Sequence, residues 1–180
     1  MQRQAYNKTA ILTHWLLAIF IFFLFISSWW MLALPLPSEE YRYRELPFQL
    51  HKNLGITLVL MLAILLYSRW KHRPEELSSQ AMTLWMHRFA VIGRVALYFT
   101  IFACCVSGYL SSAYSGWVTT LWWVVDLPDW AYESEDLNML YSDIHLWTCW
   151  ILLALVAVHL SGAIYHAFLQ DGVVRRMIRW

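Results

Sequence analysis

Charge is what this sequence has least of. Only 14% of its 180 residues are Asp, Glu, Lys or Arg, where a soluble domain carries about 25%. That shortfall excludes an ordinary water-soluble globule. The charges nearly cancel, to a net +1, and no basic patch with interleaved aromatics occurs, so no nucleic-acid partner is expected. Glycine (6) and proline (5) are sparse, and there is neither a low-complexity tract nor an internal repeat. Linkers and repeat arrays are thereby excluded, and residues 1–180 read as one domain. Cysteine is scarce too. Cys104, Cys105 and Cys149 lie inside apolar runs without a Cys-x-x-Cys-His or zinc-type spacing. The three read as small buried hydrophobes.

What is present is apolar surface, 60% of the residues. Four runs, at about 10–34, 50–70, 88–113 and 143–168, reach the ~20 residues that a bilayer core demands. In lipid only helices can span with such runs, and short connections make neighbouring helices antiparallel. The expected fold class is all-α: an integral membrane four-helix antiparallel bundle. The first run exceeds a signal-peptide core of roughly 7–15 residues and no small-x-small site follows it, so it is expected to remain as the first span. Twelve tryptophans and ten tyrosines suit aromatic belts at both interfaces. Arg3, Lys8, Arg69, Lys71, Arg73, Arg88, Arg175, Arg176 and Arg179 share one side, against Arg42, Arg44 and Lys52 on the other. Positive-inside logic then makes both termini cytoplasmic. The outer stretch "SSAYSGWVTTLWWVVDLPDWAYESED" has apolar pieces too short to span and reads as a segment lying along the interface.

Histidines interrupt these runs. His145 and His159 are fourteen residues apart in the fourth run, which is close to four helical turns, so both share one face about 21 Å apart. On the topology above, His51 stands level with His145 outside, and His14 level with His159 inside. An imidazole in hydrocarbon is costly unless something occupies it. Two imidazoles from two helices at one depth suit the axial positions of a flat macrocycle. Haem fits, since it takes two trans ligands in an apolar slot, whereas zinc lacks a nearby carboxylate or thiolate. Without attachment cysteines the group is b-type haem, two per chain. The metal ligands expected are therefore His51 with His145 and His14 with His159. His72 and His87 read as solvated residues of the cytoplasmic connection. His166, seven residues after His159, is either a proton-carrying group at the haem edge or a helix-end residue favouring the dipole. Arg94 either serves an anionic or carbonyl partner or snorkels to the surface. Lys52 is placed for an outer propionate or for attracting an anion.

With these residues in view, the chain resembles the bacterial-type cytochrome b561 family over almost its whole length. "LTHWLLA" and "HKNLGITLVL" resemble that family's first two ligand segments, "VSGYLSSAYSG" the end of its third helix, and "IHLWTCWILLALVAVHLSGAIYHAFLQDGVVRRM" its fourth helix and tail. The resemblance implies four transmembrane helices in the bacterial inner membrane, two bis-His b haems on the same four histidines, and electron exchange with ubiquinone. It also implies an oxidoreductase of the superoxide oxidase type, taking electrons from periplasmic superoxide. A membrane-anchor cytochrome b subunit relaying electrons for a periplasmic dehydrogenase or hydrogenase is the alternative, with a non-redox haem carrier behind it. One departure stands out: Arg94 occupies a position, four before Tyr98, where members commonly have His. Quinone reduction needs an electron source, a proton-exchanging group and a polar anchor. The expected catalytic groups are accordingly His166 as proton donor, Arg94 as quinone anchor and Lys52 as the residue steering the anion, with the lipid bilayer, ubiquinone and superoxide or a periplasmic redox protein as partners.

Overall fold

The computed structural model describes residues 7–33, 41–72 and 84–178. Of the residues in the topology argument, Arg3, Arg73 and Arg179 lie outside the described residues, as do the side chains of Arg42, Arg44 and Arg176. Four long helices carry the fold: α1 (Lys8–Ala33), α2 (Tyr41–Lys71), α3 (Leu84–Tyr114) and α4 (Glu135–Leu169), followed by the single turn α5 (Arg175–Ile178). Each of the first four is long and apolar enough to cross a membrane.

The helices outrun their apolar stretches. α2 begins at Tyr41 rather than near residue 50, and α4 at Glu135 rather than near 143. Hydrophobicity marks where hydrocarbon begins, while a helix in the headgroup layer ends only where its caps end it. For α4 those caps are explicit. The Ser134 hydroxyl accepts the Leu137 amide proton, Glu135 and Asp136 occupy the first turn, and Gln170 closes the far end with φ of 51°. An oxygen acceptor and negative charge suit the positive end of the helix, and a left-handed residue suits the exit.

Extensive backbone contacts join α1 to α2, α2 to α3 and α3 to α4. A core runs through the set: Ala10, Leu17 and Ile21 of α1, Leu58, Leu62 and Leu65 of α2, Leu97 and Ile101 of α3, and Leu152 of α4. Helices apolar on every side belong in lipid, and large outward side chains such as Ile26 and Phe99 are exposed here. Leu152 is the one residue of α4 that is fully buried. The backbone of α4 makes its extensive helix contacts with α3 alone, although both of its histidines face the other pair.

The outer stretch is more ordered than a segment lying on the interface. Thr120–Leu121 (β1) and Val125–Asp126 (β2) form an antiparallel two-stranded hairpin. Its turn carries Trp122 and Trp123 at φ of 46° and 58°, a left-handed conformation that bulky side chains adopt only under constraint. Asn53, wholly buried, supplies the constraint. Its amide donates to the Thr120 carbonyl at 3.1 Å and its oxygen accepts the Trp122 amide proton at 2.9 Å. Gln49, one turn earlier, donates to the Val118 carbonyl at 3.0 Å, and the Trp122 indole donates to Thr57 at 3.3 Å. The hairpin is thus laid against α2 on both sides of His51, and these pairs could not be read from a local pattern. Removing a buried hydrogen-bonding partner costs about 1–3 kcal/mol, so Asn53→Ala is expected to release the hairpin while the helices persist. Limited proteolysis in detergent should cut residues 115–132 at least about fivefold faster in the variant, that being roughly 1 kcal/mol of local opening.

Candidate functional site

Two histidine pairs bridge α4 to the α1–α2 half of the bundle. His51 of α2 faces His145 of α4 with ring centroids 6.2 Å apart and planes at 86°. His14 of α1 faces His159 of α4 at 6.1 Å and 63°. An imidazole nitrogen lies about 1.1 Å from its ring centre and a metal–imidazole bond is about 2 Å, so two rings trans on one metal have centres about 6 Å apart. Both separations match that span. The pairs also join helices that lack extensive backbone contact.

At the outer level the ring nitrogens are sorted. His145 Nδ1 donates to the Cys104 carbonyl of α3 at 2.8 Å. Ser28 donates its only proton to the Leu24 carbonyl at 2.6 Å, so its oxygen accepts from His51 Nδ1 at 3.3 Å. With Nδ1 occupied as a donor on each ring, Nε2 is left on both as the lone-pair nitrogen, which is how metal-bound imidazoles are generally oriented. Gly108, one turn after Cys104, makes this possible. A Cβ there would stand 2.9 Å from His145 Cε1 and 3.0 Å from Nδ1, closer than packed atoms come. Two polar groups flank His51: the Lys52 amine and the Gln49 carbonyl oxygen are buried with no hydrogen-bond partner among the described residues. An unpaired buried ammonium is costly, so Lys52 is suited to an anionic partner.

The inner level is cationic. Arg69 lies close enough to act electrostatically on both His14 and His159, and Arg94 on His159. Arg69 also sits over the Tyr98 ring at 5.8 Å. His159 is itself exposed, so its face awaits cover from lipid or from a bound group. Arg94 is half-buried and stands beside the inner pair rather than reaching away from it. His166 is not drawn into that pair. Its Nδ1 meets Asp171 Oδ2 at 2.5 Å, just past the end of α4, and the second Asp171 oxygen accepts the Val173 amide proton at 3.0 Å. His72, just past α2, and His87, in the first turn of α3, are both exposed, and His72 Nδ1 accepts from the Asn7 amide at 3.2 Å.

The cysteines differ in part from the sequence reading. Cys104 is buried as a small hydrophobe should be, yet its carbonyl orients His145 and its sulfur lies 3.3 Å from that of Cys149. Ser28, Gly108, Asn53 and Asp171 also matter to the site and carry no sequence signal, because each acts across a helix interface or a turn.

Compared with known proteins, residues 5–180 match the family model described as prokaryotic cytochrome b561. The chain is 29% identical over 178 residues to cytochrome b561 homolog 2 of Escherichia coli (strain K12), covering 97% of this chain and 92% of that protein. It is 26% identical over 178 residues to cytochrome b561 homolog 1 of the same organism, covering 96% of each.

The Asp171 carboxyl responds to pH in a way that tests the tail. Burial raises its pKa, but the Val173 amide and the His166 ring outweigh this and hold it below the usual carboxylate range. A carboxylate with a depressed folded-state pKa stabilises above its unfolded value, near 4, and loses that contribution as pH falls through the lowered one. The Val173 amide should accordingly stay protected in hydrogen exchange down to about pH 4 and lose protection below it. Asp171→Ala should lack that protection throughout.

Proposed function

Because the chain belongs to the prokaryotic cytochrome b561 family, a family of transmembrane b-type haem proteins that transfer electrons, we propose that it is a di-haem cytochrome passing electrons from a periplasmic donor, superoxide by preference, to ubiquinone. The observation that carries this reading is the double one on α4: two histidines, each facing a partner from another helix at about 6 Å. His51 and His145 would hold the outer haem, His14 and His159 the inner. A haem so held supplies reversible one-electron iron chemistry, with its potential set by ligands and surroundings.

The chain's own residues do the rest. Ser28 and the Cys104 carbonyl occupy Nδ1 of the outer rings, which leaves Nε2 on each as the lone-pair nitrogen. Lys52, buried without a hydrogen-bond partner among the described residues, draws an anion towards the outer pair, which favours superoxide as donor. Each superoxide gives up one electron and leaves as dioxygen. Arg69 and Arg94 compensate anionic groups at the inner pair. Ubiquinone takes up two electrons and two protons there; Arg94 donates hydrogen bonds to a quinone carbonyl, and His166, held by Asp171 through Nδ1, hands over protons from Nε2 and recovers them from the cytoplasm. The basic residues Lys8, Arg69, Lys71, Arg88 and Arg175 gather at one end of the bundle, which supports cytoplasmic termini and a periplasmic hairpin.

A second reading, an anchor subunit relaying electrons for a periplasmic dehydrogenase or hydrogenase, is favoured by one feature. The hairpin exposes Trp123, Val124 and Val125, an apolar surface that a docked enzyme could cover. Purification separates the two. Superoxide-driven ubiquinone reduction by the isolated chain in liposomes supports the oxidase, and a soluble enzyme that co-purifies and alone reduces the haem supports the anchor.

Two variants test the residues. The intact protein should contain two haems, and His145→Ala should lose one and keep the other; a single haem in the intact protein overturns the pairing. His166→Ala should keep both haem spectra and slow ubiquinone turnover by at least about tenfold, the low end of what a positioned proton donor contributes. Normal turnover removes His166 from the mechanism.

A further inference from the structure

The electron path above uses the Cys104 carbonyl but neither of two sulfurs beside it. Cys104 lies on α3 and Cys149 on α4, one turn after His145. Their Sγ atoms are 3.3 Å apart, with Cys104 Sγ 3.7 Å from His145 Nδ1 and Cys149 Sγ 3.7 Å from His145 Nε2. This is a pair of thiols from two helices meeting against one imidazole, in the helix pair whose backbones make the most extensive contact. A disulfide bond is about 2.0 Å long, so the sulfurs need to close by little more than an ångström. Cys105, next in sequence, packs against the core cluster and makes no sulfur contact with Cys149 among the described residues.

We propose that Cys104 and Cys149 form a disulfide site that ties α3 to α4 behind the outer histidine pair and is oxidised by a small neutral hydroperoxide. Location selects the oxidant. Cys104 is 8% exposed and both sulfurs lie within spans, out of reach of protein-sized thiol oxidants and unfavourable to charged ones. A hydroperoxide can enter. One sulfur attacks its O–O bond, the thiol proton leaves with the departing oxygen as water or alcohol, and a sulfenic acid remains. The second thiol then displaces the hydroxyl: the S–S bond forms, the S–O bond breaks, and water leaves with the second thiol's proton. Two thiols lose two electrons together, and the hydroperoxide gains both. His145 keeps its bond to the Cys104 carbonyl throughout, so the cross-link fixes the outer ring between two covalently joined helices. The chemistry stands on the thiol geometry, whichever donor and acceptor the protein uses.

The test counts thiols. Purified haem-loaded protein in detergent is treated with tert-butyl hydroperoxide, denatured in N-ethylmaleimide and weighed intact. Untreated protein should take up three labels, one for each free cysteine. Oxidised protein should take up one, with its mass otherwise lower by two hydrogens, and dithiothreitol should restore three. Cys105→Ser should lower both counts by one and leave the loss of two unchanged, while Cys149→Ser should abolish that loss. Three labels after oxidation, added oxygen that dithiothreitol does not remove, or a loss that disappears with Cys105 would each overturn the proposal. Because labelling follows denaturation, every remaining thiol is counted however deeply the folded helices bury it.

Discussion

An imidazole placed inside a membrane span has two nitrogens to satisfy and no water to satisfy them, and the outer level of this structure is built around that requirement. At the outer level, the Cys104 carbonyl and the Ser28 hydroxyl each take one N–H. Both depend on details of the opposing helix. Ser28 can accept because its own proton is already committed to the Leu24 carbonyl. His145 can approach α3 because position 108 carries no Cβ. What remains on each outer ring is Nε2 as the lone-pair nitrogen. The two facing pairs, one per level, give the proposed electron path its two stations.

The two ends of that path differ in how they are closed. The outer end is covered by polypeptide: the Trp-bearing hairpin is held by Gln49 and Asn53 of α2, residues two positions either side of His51. The left-handed Trp122 and Trp123 are the conformational cost of that hold. It is tolerated because Asn53 bonds both the Thr120 carbonyl and the Trp122 amide where the chain enters the turn. The inner end is closed by charge instead, with Arg69 and Arg94 beside the histidines and the His166–Asp171 contact folding the chain back beyond α4. One end is thus capped by polypeptide, while the other carries a cationic rim beside its histidines.

The sequence made some of this plain and hid the rest for definite reasons. The four spans were legible because uninterrupted apolar length has one solution in lipid. The His145–His159 spacing was legible because it lies along one helix, and the level assignment followed from the distribution of basic residues. Helix ends were misjudged at Tyr41 and Glu135, where polar residues continue the helix through the headgroup layer. The hairpin was missed because "TLWWVVD" has no glycine or asparagine at its turn; its geometry is dictated by Asn53, more than sixty residues earlier. The roles of Ser28, Gly108 and the facing Cys104 and Cys149 were invisible because these helices are apolar all round, so no periodicity reveals which face meets which.

That uniform apolarity has a consequence for assembly. Between helices in a bilayer the hydrophobic effect gives little net attraction, since lipid tails are as apolar as leucine. α4 illustrates the point: it spans Glu135–Leu169 and fully buries only Leu152. Its hold on α3 rests on close approach at Gly108 and on polar contacts, such as Ser142 with Ser111 at 2.8 Å and Asn138 with the Ser111 carbonyl at 2.7 Å. Toward α1 and α2 its backbone contacts are less extensive; there Leu152, Leu155 and Val156 join the shared core, and His145 and His159 face His51 and His14. What α4 presents to the first two helices is therefore a short apolar contact around Leu152 and two histidines, the residues proposed to hold haem, so the proposed site lies on the seam that completes the bundle.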